Sequence, residues 1–386
     1  MSRPTQLPRS LSLLTLVLLC ACASGGNRLT GPNYGRDVPP FVAQELATLA
    51  PTPGLPAAGG SLVHRVVLVG DAGDSRDNEP TLDALGRWGD AQAERTTVVF
   101  LGDNLYLKGL VDEGDRDRAR GEAVLRSQLD ATRAARFFTP GNHDWGIPDF
   151  SVARVREEQR FIDAQPGAQF LPKEGCPGPA IVPLSPAGEL ERGVTLMLID
   201  LQWWLMPKED RPACGGLDEA GAAARLATAL ADHADEWVIV GAHHPLTTGG
   251  PHGGLSYGGA ADLIIGMVGW YYGSLQNTYE PAYASAIEHI SRAMAETRPL
   301  LYAAGHDHNL QLLRGAAASQ FEVVSGAGST KKVSTVTHTE RTLFAHAHPG
   351  FVAIDFHRRS QGDEVLLHVV ETGSDLPALS TRLVGP

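Results

Sequence analysis

The 386-residue chain has few cysteines and few positive charges for its length. It contains 4 Cys, and 32 Lys and Arg stand against 44 Asp and Glu, which gives a formal net charge of -12. Since nucleic acids are bound through a surplus of basic residues, this deficit argues against nucleic acid as a main partner. A Gly-x-x-x-x-Gly-Lys-Ser/Thr phosphate loop is also missing, so nucleotide-driven phosphoryl transfer has no support. With 43% apolar residues, 43 Gly and 26 Pro, the composition is typical of a globular, loop-rich protein.

The N-terminal residues have the pattern of a secretory signal. Arg3 and Arg9 precede an apolar run, Leu11 to Leu19, which is too short to span a bilayer. Leu19-Cys20-Ala21-Cys22 resembles the lipobox of bacterial lipoproteins. The resemblance implies removal of residues 1–21 and a lipid anchor on Cys22, and therefore a protein of the bacterial cell envelope. Secretion without the anchor is the alternative.

The other two cysteines, Cys176 and Cys214, lie in loops rich in Gly and Pro. Because an exported protein meets oxidising conditions, we expect them to form a disulfide. Two unrelated thiols are the alternative, since the sequence does not show that the two residues meet.

The mature chain divides into a tether and one folded domain. Residues 22–60 are rich in Gly and Pro and contain a short helical candidate over 41–49. Residues 61–375 show no internal repeat, and the simplest interpretation is a single α/β domain. Apolar strands alternate in it with helical segments, the clearest of which are 79–94, 217–235 and 281–296.

Five of the predicted strands end in loops that carry Asp, Asn or His. Strand ends are where sites assemble in layered α/β folds, because the strands fix the loops while the loops stay open to solvent. The side chains at these ends are Asp71, Asp103, Asn142, His243, His306 and His308. This mixed oxygen and nitrogen set suits Fe, Mn or Zn. Six side chains exceed what one tetrahedral site with an open position needs, so they suit two metals that share a bridging carboxylate.

The five loops resemble the ordered motifs of one enzyme superfamily. They read Gly70-Asp71-Ala72-Gly73, Gly102-Asp103-Asn104-Leu105-Tyr106, Gly141-Asn142-His143-Asp144, Gly241-Ala242-His243-His244-Pro245 and Gly305-His306-Asp307-His308. In this order they are similar to the motifs of the calcineurin-like metallophosphoesterases. Tyr106, three residues after Asp103, narrows the resemblance to the purple acid phosphatases. Since the sequence before the first motif leaves no room for the β-sandwich of the two-domain plant branch, the single-domain, tartrate-resistant type is the closer comparison. The implied fold is two packed mixed β-sheets flanked by helices.

The resemblance also implies roles for individual residues. Asp71, Tyr106 and His308 would bind the first metal, Asp103 would bridge, and Asn142, His243 and His306 would bind the second. His143 would face the leaving group, and His252 would lie on the substrate side. A packed Tyr106 beside two divalent ions, and a His143 that only orients a ligand, remain alternatives. In the fourth motif Ala242 separates the glycine from His243, which leaves the neighbouring His244 as an alternative ligand.

The implied activity is hydrolysis of phosphate monoesters by a metal-bridged or metal-bound hydroxide at a pair of metals, Fe plus a divalent Fe, Zn or Mn. The substrate would be a small phosphorylated molecule. A phosphodiesterase or nucleotide pyrophosphatase of the same superfamily is the second hypothesis, and a non-catalytic metal-binding surface lipoprotein is the third. A leaving-group acid such as His143 argues against the last, because a binding protein has no need of one.

Three further patterns carry less weight. Gly254 to Gly258 fits the nucleophile elbow of serine hydrolases, but no strand precedes it. The apolar segment 260–274 is interpreted as a buried helix, with a lid or membrane-facing rim as the alternative. Lys331 and Lys332 are interpreted as a solvated surface pair, with phosphate binding as the alternative.

Overall fold

A computed structural model describes residues 29, 31–46, 61–74, 78–147, 149–185, 188–255, 276–374 and 376–385. Three sequence interpretations lie outside these residues. They are the signal peptide with Cys22, the Ser256–Gly258 part of the elbow pattern, and the apolar segment 260–274. Within the described residues, no helix is long and apolar enough to cross a membrane.

In the part of the chain that the structure describes, fifteen strands form two mixed sheets. They are β1 Phe41–Val42, β2 Ser61–Val69, β3 Thr96–Leu101, β4 Ala135–Thr139, β5 Ala168–Phe170, β6 Ala180–Pro183, β7 Val194–Leu198, β8 Trp237–Gly241, β9 Leu301–Ala304, β10 Leu310–Arg314, β11 Phe321–Ser325, β12 Thr342–His346, β13 Gly350–Arg359, β14 Gly362–Glu371 and β15 Leu379–Val384. Sheet I has 8 strands in the order β1-β12-β10-β11-β9-β8-β7-β6. Sheet II has 7 strands in the order β15-β14-β13-β2-β3-β4-β5.

Seven α-helices lie in the described residues: α1 Pro80–Asp90, α2 Arg118–Leu129, α3 Asn142–Trp145, α4 Val152–Asp163, α5 Gln202–Leu205, α6 Glu219–Asp232 and α7 Pro281–Met294. The three predicted from the sequence are present but shorter. Proline occupies the first turn of α1 and α7, where its missing N–H costs nothing. The Asp218 carboxylate caps α6 by accepting from the Gly221 N–H at 2.7 Å.

Three apolar layers hold these elements together. The central layer lies between the two sheets and includes Val66 and Leu68 of β2 and Leu196 and Leu198 of β7. An outer layer joins sheet II to α1, α2 and α4, and another joins sheet I to α6 and α7. The inner strands are buried on both faces, which explains their continuous apolar runs. The predicted fold class, an α/β sandwich of two packed mixed sheets flanked by helices, is confirmed.

The helix predicted over 41–49 is wrong where the structure describes it. Phe41 and Val42 form a strand that pairs antiparallel with β12 at the edge of sheet I. The Phe41 ring stacks on His338 with centroids 4.5 Å apart, and the Tyr34 N–H donates to the Val336 carbonyl at 2.9 Å. Residues 31–46 therefore pack on the domain, because an open sheet edge offers backbone partners that a short helix would not use.

Cys176 and Cys214 form a disulfide, with Cα atoms 5.6 Å apart, as predicted. It joins the segment between β5 and β6 to the loop before α6. The bond closes a stretch of chain that contains the whole of β6 and β7.

The carboxyl ends of the two parallel blocks meet at one edge. Strands β2 to β5 are parallel in sheet II, and β7, β8, β9 and β11 are parallel in sheet I. Hydrogen bonds cross between the sheets at this edge, from the Gly70 N–H to the Ser325 carbonyl at 2.7 Å and from the His306 N–H to Asp71 Oδ2 at 2.8 Å. The loops that follow β2, β3, β4, β8 and β9 therefore converge on one region.

Candidate metal centre

The structure brings together all seven residues predicted as ligands. Asp71, Asp103, Tyr106, Asn142, His243 and His306 are buried, and His308 is partly buried. Two clusters of close ligand atoms are present, Asp71 with Asp103 and His243, and His243 with His244 and His306; within each, the atoms lie within 4.8 Å of one another. His243 belongs to both clusters, so the two form one continuous site.

The first group consists of Asp71, Tyr106 and His308. The Tyr106 hydroxyl donates to Asp71 Oδ1 at 2.9 Å and lies 3.1 Å from His308 Nε2. The His308 Nε2 is in turn 3.2 Å from Asp71 Oδ1. Three donor atoms from three loops therefore converge within hydrogen-bonding distance of one another, which is the set that the resemblance assigned to one metal.

The second group is built around His243. Its Nδ1 lies 2.9 Å from the Leu101 carbonyl, and its Nε2 lies 2.9 Å from Asn142 Oδ1 and 3.2 Å from His306 Nδ1. The other nitrogen of His306, Nε2, lies 3.1 Å from the Gln276 carbonyl. Each ring thus directs one nitrogen to a backbone acceptor and the other to the centre.

This arrangement fits a cation. A neutral imidazole has one N–H, and on both rings the backbone carbonyl takes it. The lone pairs of His243 Nε2, His306 Nδ1 and Asn142 Oδ1 then face one another with no proton to share. Such mutual repulsion is relieved by a metal ion, whose ligands are oriented by these outer hydrogen bonds.

Asp103 lies between the two groups. Its Oδ1 accepts from the His143 backbone N–H at 2.9 Å and lies 3.4 Å from His243 Nε2, while its Oδ2 is 3.9 Å from His143 Nε2. Burial alone would raise the pKa of this carboxyl, but His243 and then His143 outweigh it and lower the pKa to about 2. Asp103 is therefore an anion in the position expected of a bridging ligand.

Backbone strain concentrates at the ligands. Three of them have positive φ: Asp71 at 61°, Asp103 at 51° and His306 at 68°. Non-glycine residues adopt this region at a cost, and such residues cluster at functional sites. Gly102, with φ 81°, is required for packing as well, because a Cβ there would lie 2.7 Å from the Cβ of His243.

His244 occupies a different place from His243. Its Nε2 lies 3.1 Å from the side-chain Oε1 of Gln276, and its buried Nδ1 has no hydrogen-bond partner in the described residues. Burial lowers the pKa of His244 well below its usual value, and the neighbouring His243 adds to the effect. The geometry thus directs His243, rather than His244, towards Asp103 and Asn142.

Tyr106 is a neutral phenol in this environment. Burial, then the negative charges of Asp71 and Asp103, raise its pKa well above the usual value. Only a strongly charged cation beside the hydroxyl would convert it to a phenolate. Without such a cation, Tyr106 therefore acts as a hydrogen-bond donor to Asp71.

His143 and His252 lie at the rim. His143 Nδ1 is 3.0 Å from the Leu107 carbonyl, and the side chain is 21% exposed. The His252 ring packs against the His306 ring with centroids 3.9 Å apart, and its buried Nδ1 has no hydrogen-bond partner in the described part of the chain. Both residues thus adjoin the ligands without lying among them.

Sequence reasoning missed two buried carboxylates that support the loops. Asp144 accepts from the backbone N–H groups of Gly141 at 2.7 Å and Leu105 at 2.9 Å, so it braces the loop of Asp103 rather than the ring of His143. Asp307 accepts from the Thr248 hydroxyl at 2.5 Å and from the His252 N–H at 3.2 Å. Both stand inside the quoted motifs, Asp144 two residues after Asn142 and Asp307 between His306 and His308, and that closeness in sequence was the available signal.

The placing of Lys332 as a solvated surface residue was wrong. Its ammonium lies 3.0 Å from the centroid of the Tyr106 ring, and the residue is partly buried, whereas Lys331 is exposed. The loop that carries it is fixed to the site by the Ser334 N–H, which donates to the His308 carbonyl at 2.8 Å. The sequence could not show this contact, because Tyr106 and Lys332 come from different sheets.

Comparison with known protein families shows the family to which this chain belongs. The family model of calcineurin-like phosphoesterases matches residues 64–310, which is more than half of the chain. The chain belongs to this family. It is therefore a hydrolase of the metallophosphoesterase type, and the five loops quoted above lie within the matched residues.

Solved structures support the fold. GAP50, the anchor in the inner membrane complex of Plasmodium, is similar with a TM-score of 0.54 and 15% identity, covering 83% of this chain and 89% of that one. Purple acid phosphatase PPD1 from yellow lupin seeds is similar with a TM-score of 0.53 and 15% identity, covering 84% of this chain and 54% of that one. No curated protein matches the sequence. At 15% identity these two structures show the fold alone, so the substrate class has to be argued from the site.

Proposed function

We propose that this protein hydrolyses phosphate monoesters at a pair of metal ions, iron and a divalent ion. Asp71, Tyr106 and His308 would hold the first, and Asn142, His243 and His306 the second, with Asp103 shared. The observation that carries the proposal is the Tyr106 hydroxyl, 2.9 Å from Asp71 Oδ1 and 3.1 Å from His308 Nε2. A phenol in that position suits ferric iron. If Tyr106 were only packed against its neighbours and bound no metal, the phosphodiesterase alternative would be favoured.

The metal pair, when bound, would polarise the phosphoryl group and lower the pKa of attacking water. The chain supplies charge balance around it. Asp71 and Asp103 are anionic, Tyr106 becomes anionic beside a trivalent ion, and Asn142 and the histidines are neutral. The centre then keeps a positive charge for a phosphate dianion despite the net charge of -12.

His143 would supply the leaving-group proton. The Leu107 carbonyl, 3.0 Å away, takes the proton on Nδ1, so Nε2 is the nitrogen that exchanges protons. That nitrogen lies 3.9 Å from Asp103 Oδ2, on the exposed side of the shared ligand. The protonated ring can therefore donate to the departing alkoxide, a role worth about 100- to 10,000-fold in rate.

His252 would bind the substrate. Its backbone is fixed by Asp307, and its ring is held against His306. The Nδ1 that has no partner in the described residues is then available to a phosphate oxygen. A buried polar atom without a partner is costly, which supports a ligand at this position.

The place of action proposed is the bacterial cell envelope, through a lipid on Cys22, with a small phosphorylated substrate and no nucleic acid. The Cys176–Cys214 disulfide supports export, because such bonds persist in oxidising compartments. Labelling with a fatty-acid analogue should mark the wild-type protein and leave Cys22→Ser unmarked. Labelling of neither form would favour plain secretion.

One experiment tests the proposed reaction. Metal content, the visible spectrum and turnover of aryl phosphate and bis-aryl phosphate are measured on the same purified protein. Iron with a second metal, a broad visible band that disappears in Tyr106→Phe, and preferential monoester turnover would support the proposal. Turnover of the diester without such a band would replace it with the phosphodiesterase alternative, and no turnover with intact metals would favour a binding protein.

A further inference from the structure

A lysine ammonium beside the centre has no acceptor. Lys332 lies 3.0 Å from the Tyr106 ring centroid, and within the described residues its side chain makes no hydrogen bond or ion pair. A partly buried ammonium has lost some of the water molecules that accepted from its three N–H donors. One aromatic face replaces only part of that lost interaction. Asp103, Asp74 and Asp71 attract the ammonium from a distance, but no acceptor in the described residues lies within hydrogen-bonding reach of it.

Neighbouring cations differ from Lys332 in this respect. Arg120 donates to the Tyr106 carbonyl at 3.1 Å and lies 3.7 Å from Asp74. Arg36 is exposed and donates to the Thr330 carbonyl at 3.2 Å. These two guanidinium groups are engaged with the protein, whereas the Lys332 ammonium has no hydrogen-bonding partner in the described residues.

The position of Lys332 is fixed by its loop. The Thr330 N–H donates to Glu79 Oε1 at 3.0 Å, and the Ser334 N–H donates to the His308 carbonyl at 2.8 Å. The Asn309 amide donates to the Ser334 hydroxyl at 3.2 Å. Both ends of the short segment around Lys332 are thus anchored, one of them directly to a predicted ligand.

The ammonium lies over a ring that adjoins both the proposed leaving-group acid, His143, and the predicted metal ligand His308. The Tyr106 ring beneath it is 4.6 Å from the His143 ring and 6.2 Å from the His308 ring, centroid to centroid. A phosphate that contacted a metal held by His308, and whose leaving alkoxide received its proton from His143, would lie over Tyr106. Its outward oxygens would then be close to Lys332.

From these contacts we infer that Lys332 is a specificity-determining residue that binds a non-bridging oxygen of the substrate phosphate. The inference rests on the proposed function and deepens it. A monoester dianion carries one more negative charge than a diester, and it has a free oxygen where the diester has a second ester group. Lys332 would therefore favour monoesters over diesters.

The test compares Lys332→Met with Lys331→Met, which removes the same charge from the exposed neighbour. Steady-state kinetics are measured on aryl phosphate and bis-aryl phosphate, and the Kd of inorganic phosphate is measured on the metal-loaded proteins. For Lys332→Met we expect KM for the monoester and Kd for phosphate to rise about 10-fold or more, the loss typical of one charge-assisted hydrogen bond. The kcat on the monoester and all diester constants should change by about 3-fold or less, and Lys331→Met should behave as wild type.

Several results would overturn the inference. Equal effects of Lys332→Met and Lys331→Met would indicate a long-range electrostatic effect of positive charge. Unchanged KM and Kd in Lys332→Met would indicate that Lys332 does not contact the phosphate. A shifted visible band with unchanged KM and Kd would indicate that Lys332 acts on Tyr106 alone. Metal content and melting temperature are measured for each variant, and Lys332→Arg, which keeps the charge, should retain most of the phosphate affinity.

Phosphate binding separates this inference from the proposed function. If the wild type turns over no ester, the proposed function fails, but the phosphate Kd of Lys332→Met still decides whether the contact exists. If the wild type is active and the variants bind phosphate equally, only the inference about Lys332 fails.

Discussion

The Nδ1 of His306 lies 3.2 Å from the Nε2 of His243, and the other nitrogen of each ring lies near a backbone carbonyl. Two imidazole lone pairs at that distance destabilise the metal-free protein. Metal binding should therefore stabilise the fold, by an amount that grows with free metal concentration. We expect the melting temperature to fall on chelation and recover with added divalent ion, and His306→Leu to lose one of two bound metals. An unchanged melting temperature with and without metal would contradict the assignment.

Asp144 braces the loop of Asp103 from behind. Asp144→Ala would leave the Gly141 and Leu105 N–H groups buried without their acceptor, at about 1–3 kcal/mol each. We expect a lower free energy of unfolding and weaker metal binding, measured by chemical denaturation and by chelator competition. Asp144→Asn keeps one acceptor oxygen, so its free energy of unfolding and its metal affinity should lie between those of wild type and Asp144→Ala. Loss of activity in Asp144→Ala at full stability and full metal content would point instead to a direct role in the reaction.

Arg65 and Asp355 form a buried ion pair away from the metal centre. The guanidinium donates to both carboxylate oxygens, at 2.6 and 2.5 Å, and lies over the Trp88 ring. Asp355→Ala would leave the buried guanidinium without its anion, so we expect a loss of about 3–5 kcal/mol in the free energy of unfolding. The kcat of the folded protein should not change.

The matched control is Arg65→Met combined with Asp355→Leu. Because it removes both charges together, it should recover part of the stability that Asp355→Ala loses. Equal losses in the single and double variants would show that packing rather than charge is responsible.

The lowered pKa of buried His64 predicts that the protein loses stability in acid. Burial, then the charge of Arg95, lower its pKa from 6.5 to about 4. Between these two pKa values the unfolded chain therefore binds more protons than the folded one. The contribution of neutral His64 to the free energy of unfolding is fully present above pH 6.5 and is lost as the pH falls towards 4. The loss is at most about 3 kcal/mol.

Chemical denaturation of His64→Gln across pH 4–7 checks this, since the variant should show a shallower pH dependence than wild type. His289→Gln, on the surface of α7, is the control and should follow wild type. Parallel curves for wild type and His64→Gln would rule out His64 as the source.

The ligand loops could be predicted because each follows an apolar strand that the sequence makes plain. Asp71 follows β2, and His306 follows β9, so both had to lie at strand ends. The pairing between sheets could not be predicted, since the hydrogen bond from the His306 N–H to Asp71 Oδ2 joins residues 235 positions apart. The same holds for Lys332, whose contact with Tyr106 depends on how the sheets pack.

Local patterns also failed where tertiary contacts outweighed them. The segment beginning at Phe41 has helical spacing, yet the free edge of β12 and the His338 ring hold it as a strand. Asp144 follows His143 in the chain, yet its carboxylate accepts from three backbone N–H groups, those of Gly141, Asn104 and Leu105, and from the Asn104 side-chain amide. The spacing of the motif does not show these contacts, because Asn104 and Leu105 belong to another loop.

The predicted ligands divide between the two halves of the sandwich. Asp71, Asp103, Tyr106 and Asn142 come from sheet II, and His243, His306 and His308 come from sheet I. Neither half alone assembles a complete set, so metal retention reports whether the halves are joined. A sliding of one sheet across the other by a few ångströms would release the ions before either sheet lost a hydrogen bond. Metals bound by these residues would therefore link the two sheets, and we expect inactivation by heat to begin with separation of the sheets and loss of metal.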